Sequence, residues 1–573
     1  MDSYSIPREC SSILKEGILN NPKIKRVLPV DIERYVDSVS FRGSDLPSLP
    51  INWRYAESIS TLKATEALVL NVLLAKKYGL QKPPKVEINT DHAQLFIFSP
   101  ILWTLDPAGE KLSFMSTATP EGRQKLYRYF ADYDVHGAGS SPYMMAVTNM
   151  FRTKDNRWFH LHGSLDSRPS LRSIGLPDQN STATEEEALS IIGEAAAKFT
   201  AEELQYRETV EFKQAGTICF TKEEFAASEH GKANEHTGLF ELRPQSNEKQ
   251  LPSWWIDSPM TSPRRPLAGL KVVELTRIIA GPTIARGLAE LGASVMRITA
   301  PHIPDVSSLH PDLNHGKWNA SLDLRKEEDR EKLRRLILDA DVIVDGYRPH
   351  VFAKYGFSEK DILEIVEDRQ RGIIFAHENC YGWNGPWKDR SGWQQISDAC
   401  TGVDFEFGRA MGLAEPVTPL VPNSDFCTGA AGITAVMCAL IHKAEHGGSV
   451  SVDLGLNYYN SWLINSVGMY PNEVWQDVWQ RNGRHVYRAT DNSMFKQLPL
   501  MTETLNKGPG RAIFDPSHFT QYDVKNLGTA IRFVAPVLRF PDGPVEPGFQ
   551  VGTRGNGIDK PHWPKDLSVE VVT

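Results

Sequence analysis

The chain reads as an α/β protein organised around a parallel sheet, and two stretches carry that reading. Between Pro266-Leu-Ala-Gly-Leu-Lys-Val-Val-Glu-Leu275 and Ala293-Ser-Val-Met-Arg-Ile298 the pattern runs strand, tight turn, helix, strand, the order of a parallel βαβ crossover. Gly429 to Ile441 carries no charge and is built from small and apolar side chains, as a buried helix is. Glu445-His-Gly-Gly-Ser-Val-Ser-Val-Asp-Leu454 then supplies a glycine stop and an alternating strand. At 573 residues the chain exceeds one core, so two or more domains are expected.

Composition narrows the function classes. With 63 basic against 71 acidic residues, net −8 and a pI near 6.1, no basic field is present for nucleic acid or an anionic membrane. Hydrophobic content of 41% and a mean hydropathy of −0.35 are those of a soluble enzyme. The apolar run Ala67–Ala75 is short for a membrane span and contains Asn71. Met1–Cys10 lacks the regions of a signal peptide, and Val571-Val-Thr573 is no peroxisomal tripeptide, so a cytoplasmic protein is expected. Six cysteines show neither a CxxC pair nor a Cys/His cluster, which points to reduced thiols and no metal site. His160 and His162 share one face of a predicted strand and lack a third ligand nearby, so they read as a hydrogen-bonded or solvated pair.

One carboxylate stands out. Asp425, in Val421-Pro-Asn-Ser-Asp-Phe-Cys-Thr428, precedes the neutral helix. Backbone N–H groups and the helix dipole at that end favour an anion, and also the charge that develops when a carboxylate attacks an acyl carbon. The same position suits an ordinary helix cap. Cys427 has no basic neighbour in sequence to lower its pKa and reads as a buried, inert thiol.

What surrounds Asp425 separates the two roles. Ala280-Gly-Pro282, Asn319-Ala-Ser-Leu-Asp-Leu-Arg325, Ala340-Asp-Val-Ile-Val-Asp-Gly-Tyr-Arg-Pro349, Tyr381-Gly-Trp-Asn-Gly-Pro-Trp-Lys-Asp-Arg-Ser-Gly392 and the Asp425 helix follow one another in order. From about residue 266 to 460 this set resembles the family III coenzyme A transferases, the group that also holds formyl-CoA transferase, carnitine CoA-transferase and α-methylacyl-CoA racemase. The resemblance implies a Rossmann-like parallel-sheet large domain with a smaller α+β domain, in the family's interlocked fold. It implies an acyl-CoA:carboxylate CoA-transferase with Asp425 as covalent nucleophile, a coenzyme A thioester and a carboxylic acid as substrates, and no permanently bound cofactor or metal. By position in the family pattern, Ile279 and Ala280 would touch the adenine or pantetheine. Leu322, Arg325, Gly346, Tyr347, Arg348 and Lys354 would line the CoA channel, the cations meeting its phosphates. An α-methylacyl-CoA racemase or epimerase, and an inactive acyl-CoA-binding homologue, are the alternatives.

The chain also departs from the family. Ala300 stands where an Arg usually follows the second strand, and Gly346-Tyr347 where many members have Asn-Phe. Trp393-Gln394 stands where transferases tend to carry Tyr and an acid, and racemases His and Asp. The missing His weighs against racemisation, which needs a base on each face of the α-carbon.

In the N-terminal half, Ala64–Gly79 reads as a helix with a glycine stop, followed by a strand within Pro84–Ala93. The order is that of Gly429–Asn457, so residues 1–135 read as a diverged partial copy of the large domain, with no Asp where Asp425 would fall. Asn149–His162 resembles the family's small-domain hairpin, with its turn at Lys154–Arg157. With predicted helices at Glu185–Phe199 and Ala201–Glu211 it makes a small domain over 136–245. Residues 246–265 form a polar, Pro-rich linker, 266–460 the CoA-binding large domain, and 461–573 an extension returning to it. In that extension Ile531–Phe540 reads as a strand pair and Thr502–Asp523 yields no element. Because family members are interlocked homodimers, a chain holding both halves predicts either a homodimer or a pseudo-dimer within one chain.

Overall fold

A computed structural model describes residues 4–180, 183–491 and 497–573. Its centre is a seven-stranded sheet of β1 (Phe240–Gln245), β2 (Lys271–Leu275), β3 (Ser294–Thr299), β4 (Lys317–Ser321), β5 (Val342–Asp345), β6 (Ile374–Asn379) and β7 (Ser449–Gly455), in the order β4-β3-β2-β5-β6-β7-β1. All neighbours are parallel except β7 and β1. The parallel strands are buried on both faces, which is why they read in sequence as short apolar runs without alternation. Strand order reverses between β2 and β5, the switch point where a doubly wound sheet opens a crevice at its carboxyl edge.

Two helices cover one face, α2 (Ala280–Glu290) and α4 (Asn423–His446). Val272, Val342, Val344, Ile374 and Ala376 pack in the layer beneath them, while Val273, Leu275, Ile343 and Phe375 enter a separate core on the other face. α2 and α4 nest because glycines remove side chains where they cross. A Cβ on Gly429 would lie 2.5 Å from Thr283, and one on Gly287 would lie 2.0 Å from Ile433.

Along α4 runs α1 (Tyr55–Tyr78), also 24 residues long. Both helices are long and apolar enough to cross a bilayer, more than Ala67–Ala75 alone indicates, but 94% of each apolar window is buried within the protein. They are core helices. After α1 come Gly79 with φ +69°, the strand Val86–Asn89 and the helix Thr90–Phe96. After α4 come Gly447, β7 and α5 (Leu456–Trp462), the same order of elements.

The smaller α+β unit pairs Asn149–Arg152, Trp158–Leu161 and Gly216–Ile218 in an antiparallel sheet. Capping boxes at Thr184/Glu187 and Thr200/Glu203 start its helices Glu185–Ala196 and Ala201–Tyr206. The unit docks on α3 (Gln394–Thr401), where the Phe220 N–H donates to the Ala399 carbonyl at 3.0 Å.

Four sequence expectations are corrected. Residues 240–245 are the edge strand β1 of the large sheet, so the small unit ends before them; β1 pairs on one side only, which tolerates Pro244. Thr502–Asp523 is not featureless: Leu498–Lys507 is a helix and Phe519–Val524 a strand. Of Ile531–Phe540 only the first part is strand, Thr529–Val534, and it pairs with Phe519–Val524. Its other neighbour is Thr104–Leu105, so this part of the extension builds on the N-terminal half. The extension does return to the large domain further on, where Val551, Trp563 and Val572 pack in or against its core and Asp559 lies alongside Ala320 of β4.

Candidate active site

The site grows from the carboxyl edge of the sheet. After β2 the chain turns through Thr276, Arg277, Ile278 and Ile279 into α2, whose first turn has no side-chain cap. Ile278 holds φ at +72°, a strained region for a β-branched residue. A Cβ on Gly281 would lie 2.6 Å from Thr276, so the start of α2 sits tightly over the end of β2.

Asp425 is the third residue of α4, one turn before Gly429 on the same face. A Cβ on Gly429 would come within 3.2 Å of the Ala280 carbonyl, so Asp425 stands beside the opening of α2. Its side chain keeps an opening to solvent and makes no hydrogen bond among the described residues. Burial, then the fields of Glu378 and Asp398, hold the carboxyl well above the usual carboxylate range. The unsatisfied N–H groups of the first helical turn favour its anion.

Asp398 on α3 is buried and accepts from Ser424 Oγ at 3.0 Å and Asn460 Nδ2 at 2.8 Å, and also from the Gln394 amide. Burial pushes it up to about 6 against those bonds. Through Ser424 it fixes the first turn of α4. Gln394 is thus an amide donor to a carboxylate. Trp393 stacks on His162 at 5.3 Å and donates to Ser164 Oγ at 3.0 Å, tying the small unit to α3. Burial keeps His160 and His162 neutral, lowered to about 4 and about 3. Cys427 is buried beside Asn423, and burial pushes its thiol up to about 12.

The residues expected to hold CoA fall into three groups. Ile279, Ala280, Gly346 and Tyr347 flank the switch-point crevice, Gly346 following β5 with a Cβ position 3.3 Å from Thr276. Leu322 is buried in the same apolar cluster that Tyr347 packs against, as core rather than open wall. Arg348, Lys354 and Arg325 are exposed cations at the rim. Arg348 donates to the Lys213 carbonyl of the small unit at 2.8 Å, Lys354 lies over Tyr355, and Arg325 is paired with Asp323 at 2.8 Å.

Three site residues were not singled out from sequence. Arg277 lies 4.9 Å from the Tyr347 ring centre and donates to the Pro304 carbonyl, placing a cation in the switch-point loop. Asp398 sits in no motif. Glu378 interrupts the buried strand β6, and a charged residue inside Ile373-Ile-Phe-Ala-His-Glu378 was its one signal.

The profile of CoA-transferase family III matches residues 267–497. An acetyl-coenzyme A transferase of Hypoxylon pulicicidum, nodX, is 47% identical over 99% of this chain and 95% of its own. An acyl-CoA transferase of Gibberella moniliformis is 30% identical over 93% of this chain and 91% of its own. Among solved structures, a CAIB/BAIF family protein from Brucella suis aligns at 30% identity over 35% of this chain and 56% of that one, with a TM-score of 0.31. The chain belongs to CoA-transferase family III and is a CoA-transferase acting on acyl-CoA.

Proposed function

We propose that the protein moves coenzyme A from an acyl-CoA to a free carboxylic acid through covalent intermediates on Asp425. The observation that carries this is a carboxyl in the first turn of α4, hydrogen-bonded to none of the described residues, at the mouth of the switch-point crevice. One Asp425 oxygen adds to the thioester carbonyl and CoA leaves as thiolate, giving an acyl-aspartyl anhydride. The thiolate then attacks the Asp425 carbonyl, forming an aspartyl-CoA thioester and releasing the donor acid. The acceptor carboxylate repeats the two steps in reverse, and Asp425 is regenerated. Arg277, Arg348, Lys354 and Arg325 are the cations for the phosphates, with Ile279, Ala280, Gly346 and Tyr347 along the ligand. The N-terminal half supplies the second helix of the α1–α4 pair, so one chain builds a pseudo-dimer.

The likeness to nodX, an acetyl-coenzyme A transferase, makes acetyl-CoA the first donor to test. With acetyl-CoA and labelled acetate the protein should exchange label into acetyl-CoA, and other carboxylic acids should yield new acyl-CoA. In deuterium oxide a 2-methylacyl-CoA should take up no α-deuterium above background, since neither Trp393 nor Gln394 is a base. Rapid α-exchange without an acceptor would instead assign a racemase.

A further inference from the structure

Glu378 lies near the end of β6, a strand buried along its whole length, and is 9% exposed with its carboxyl bonded to no described residue. Its oxygens are not sealed in and still touch solvent, and a side chain so largely buried normally has a partner. Strand alternation aims it. Ile374 and Ala376 pack in the layer beneath α2 and α4, so Glu378, two residues on, faces the layer that holds Asp425. A Cβ on Gly346 would lie 3.5 Å from Glu378 Oε2 and 3.3 Å from Thr276, so the ends of β2, β5 and β6 form one floor under the crevice.

The groups around it are acids or uncharged. On β5 stands Asp345 and on α4 Asp425. The two neighbouring carboxyls Glu378 and Asp425 cannot both ionise, so the pair keeps one proton, on Glu378, while the free N–H groups of the first turn of α4 hold the charge on Asp425. Cys380, just past the end of its strand, is held protonated by burial, and the Thr276 hydroxyl is committed to Glu274 at 2.6 Å.

We propose that Glu378 is a second catalytic residue, which as a neutral carboxylic acid donates its O–H to the oxyanion formed when Asp425 adds to the thioester carbonyl. The proposal rests on the nucleophilic reading of Asp425. As the Asp425 oxygen bonds to the acyl carbon, the carbonyl π pair moves onto oxygen and accepts the Glu378 hydrogen bond. When the C–S bond breaks the pair returns, CoA departs as thiolate and the proton remains on Glu378. Burial and Asp345 push this carboxyl up to about 8, so the acid form is present at neutral pH.

The test is acetate–acetyl-CoA exchange by the full chain, followed against pH. E378L should lose about 100-fold or more in kcat with KM for acetyl-CoA within a few fold, the cost of losing one oxyanion donor. E378Q, whose amide still donates, should keep at least ten times the E378L rate. It should also lose the decline that the unsubstituted protein shows as pH rises through about 8. Should E378L fail to fold, the E378Q pH profile alone decides. Unchanged rates in E378L, or an unchanged alkaline limb in E378Q, overturn the role of Glu378. D425A in the same assay separates the two readings: if it is inactive while E378L is fully active, only Glu378 is wrong, and if D425A remains active the nucleophile assignment fails and this proposal with it.

Discussion

Glu57 and Asp425 are each the third residue of a 24-residue helix, and those two helices lie against one another. The position is shared and the surroundings are opposite. Glu57 is fully buried and accepts hydrogen bonds from the hydroxyls of Tyr4 and Tyr470, with Arg54 at 3.8 Å. The Asp425 side chain reaches solvent and bonds none of the described residues. From sequence, the helix of the first half starts at Ala64 and no Asp corresponds to Asp425; in the structure α1 begins at Tyr55, and the counterpart is an acid longer by one methylene. Tyr4 from the start of the chain and Tyr470 from its second half close over Glu57.

Glu57→Ala strands two buried phenols and a guanidinium, and is expected to destabilise the fold by about 1–3 kcal/mol. Activity should stay within twofold, because Glu57 meets no substrate. Urea unfolding and acetate exchange on the same preparation measure both. Loss of exchange at unchanged stability would give Glu57 a part in the reaction.

Stability should fall on the alkaline side of neutrality. Burial raises Glu208 to about 7 and Glu378 to about 8, against unfolded values of about 4.3. The folded chain then holds protons that the unfolded chain has lost. The contribution is full below about pH 4 and disappears as pH rises through 7 to 8. On the acid side, burial lowers His92 and His162 to about 3 and His160 and His230 to about 4, against about 6.5 unfolded, so their contribution is lost as pH falls from about 6.5 toward 4. Glu359, held down by Arg243, and Asp453, held down by His377 and Arg243, add a further loss below about 4. Thermal unfolding should therefore peak near pH 6 and drop by several degrees at pH 8.5, with E378Q flattening the decline. A melting point that climbs steadily from pH 6 to 8.5 is the opposing result.

Separate expression should fail where joint expression succeeds. A fragment 262–573 lacks β1, which covers the β7 edge of the large sheet, and lacks α1, which buries α4. It is expected to be insoluble or inactive alone and to regain exchange activity when produced with residues 1–255. Full activity of 262–573 by itself would show that the N-terminal half is dispensable to the site.

Elements with one dominant signal were legible from sequence. The β2–α2–β3 unit showed through its change of period, and α4 through its lack of charge. α1 was placed late because its first turns carry Glu57, Lys63 and Glu66, which look solvated until the buried Lys63–Glu66 pair at 2.6 Å is seen. Pro244 and the charges of β1 hid a strand of the large sheet at the end of the expected small domain, because an edge strand needs neither two apolar faces nor two sets of backbone bonds. Pro499 opens the helix Leu498–Lys507, which runs into the Thr502–Asp523 stretch where no element was read. At the site, Asp425 was visible because a helix terminus is a local feature. Glu378 and Asp398 were not, because what sets them apart is burial and neighbours from distant strands and helices.

The covalent role of Asp425 is tested most directly by intact and peptide mass spectrometry after incubation with acetyl-CoA, quenched in acid, with D425N alongside. The account predicts added mass of an acetyl or CoA group on the peptide carrying Asp425, its removal by hydroxylamine, and none on D425N. Asp425→Glu should retain about 1% of turnover or less, since one methylene displaces the attacking oxygen by about 1 Å. An adduct on another residue, or full exchange by D425N with no adduct, would contradict the account and leave Asp425 as a helix cap.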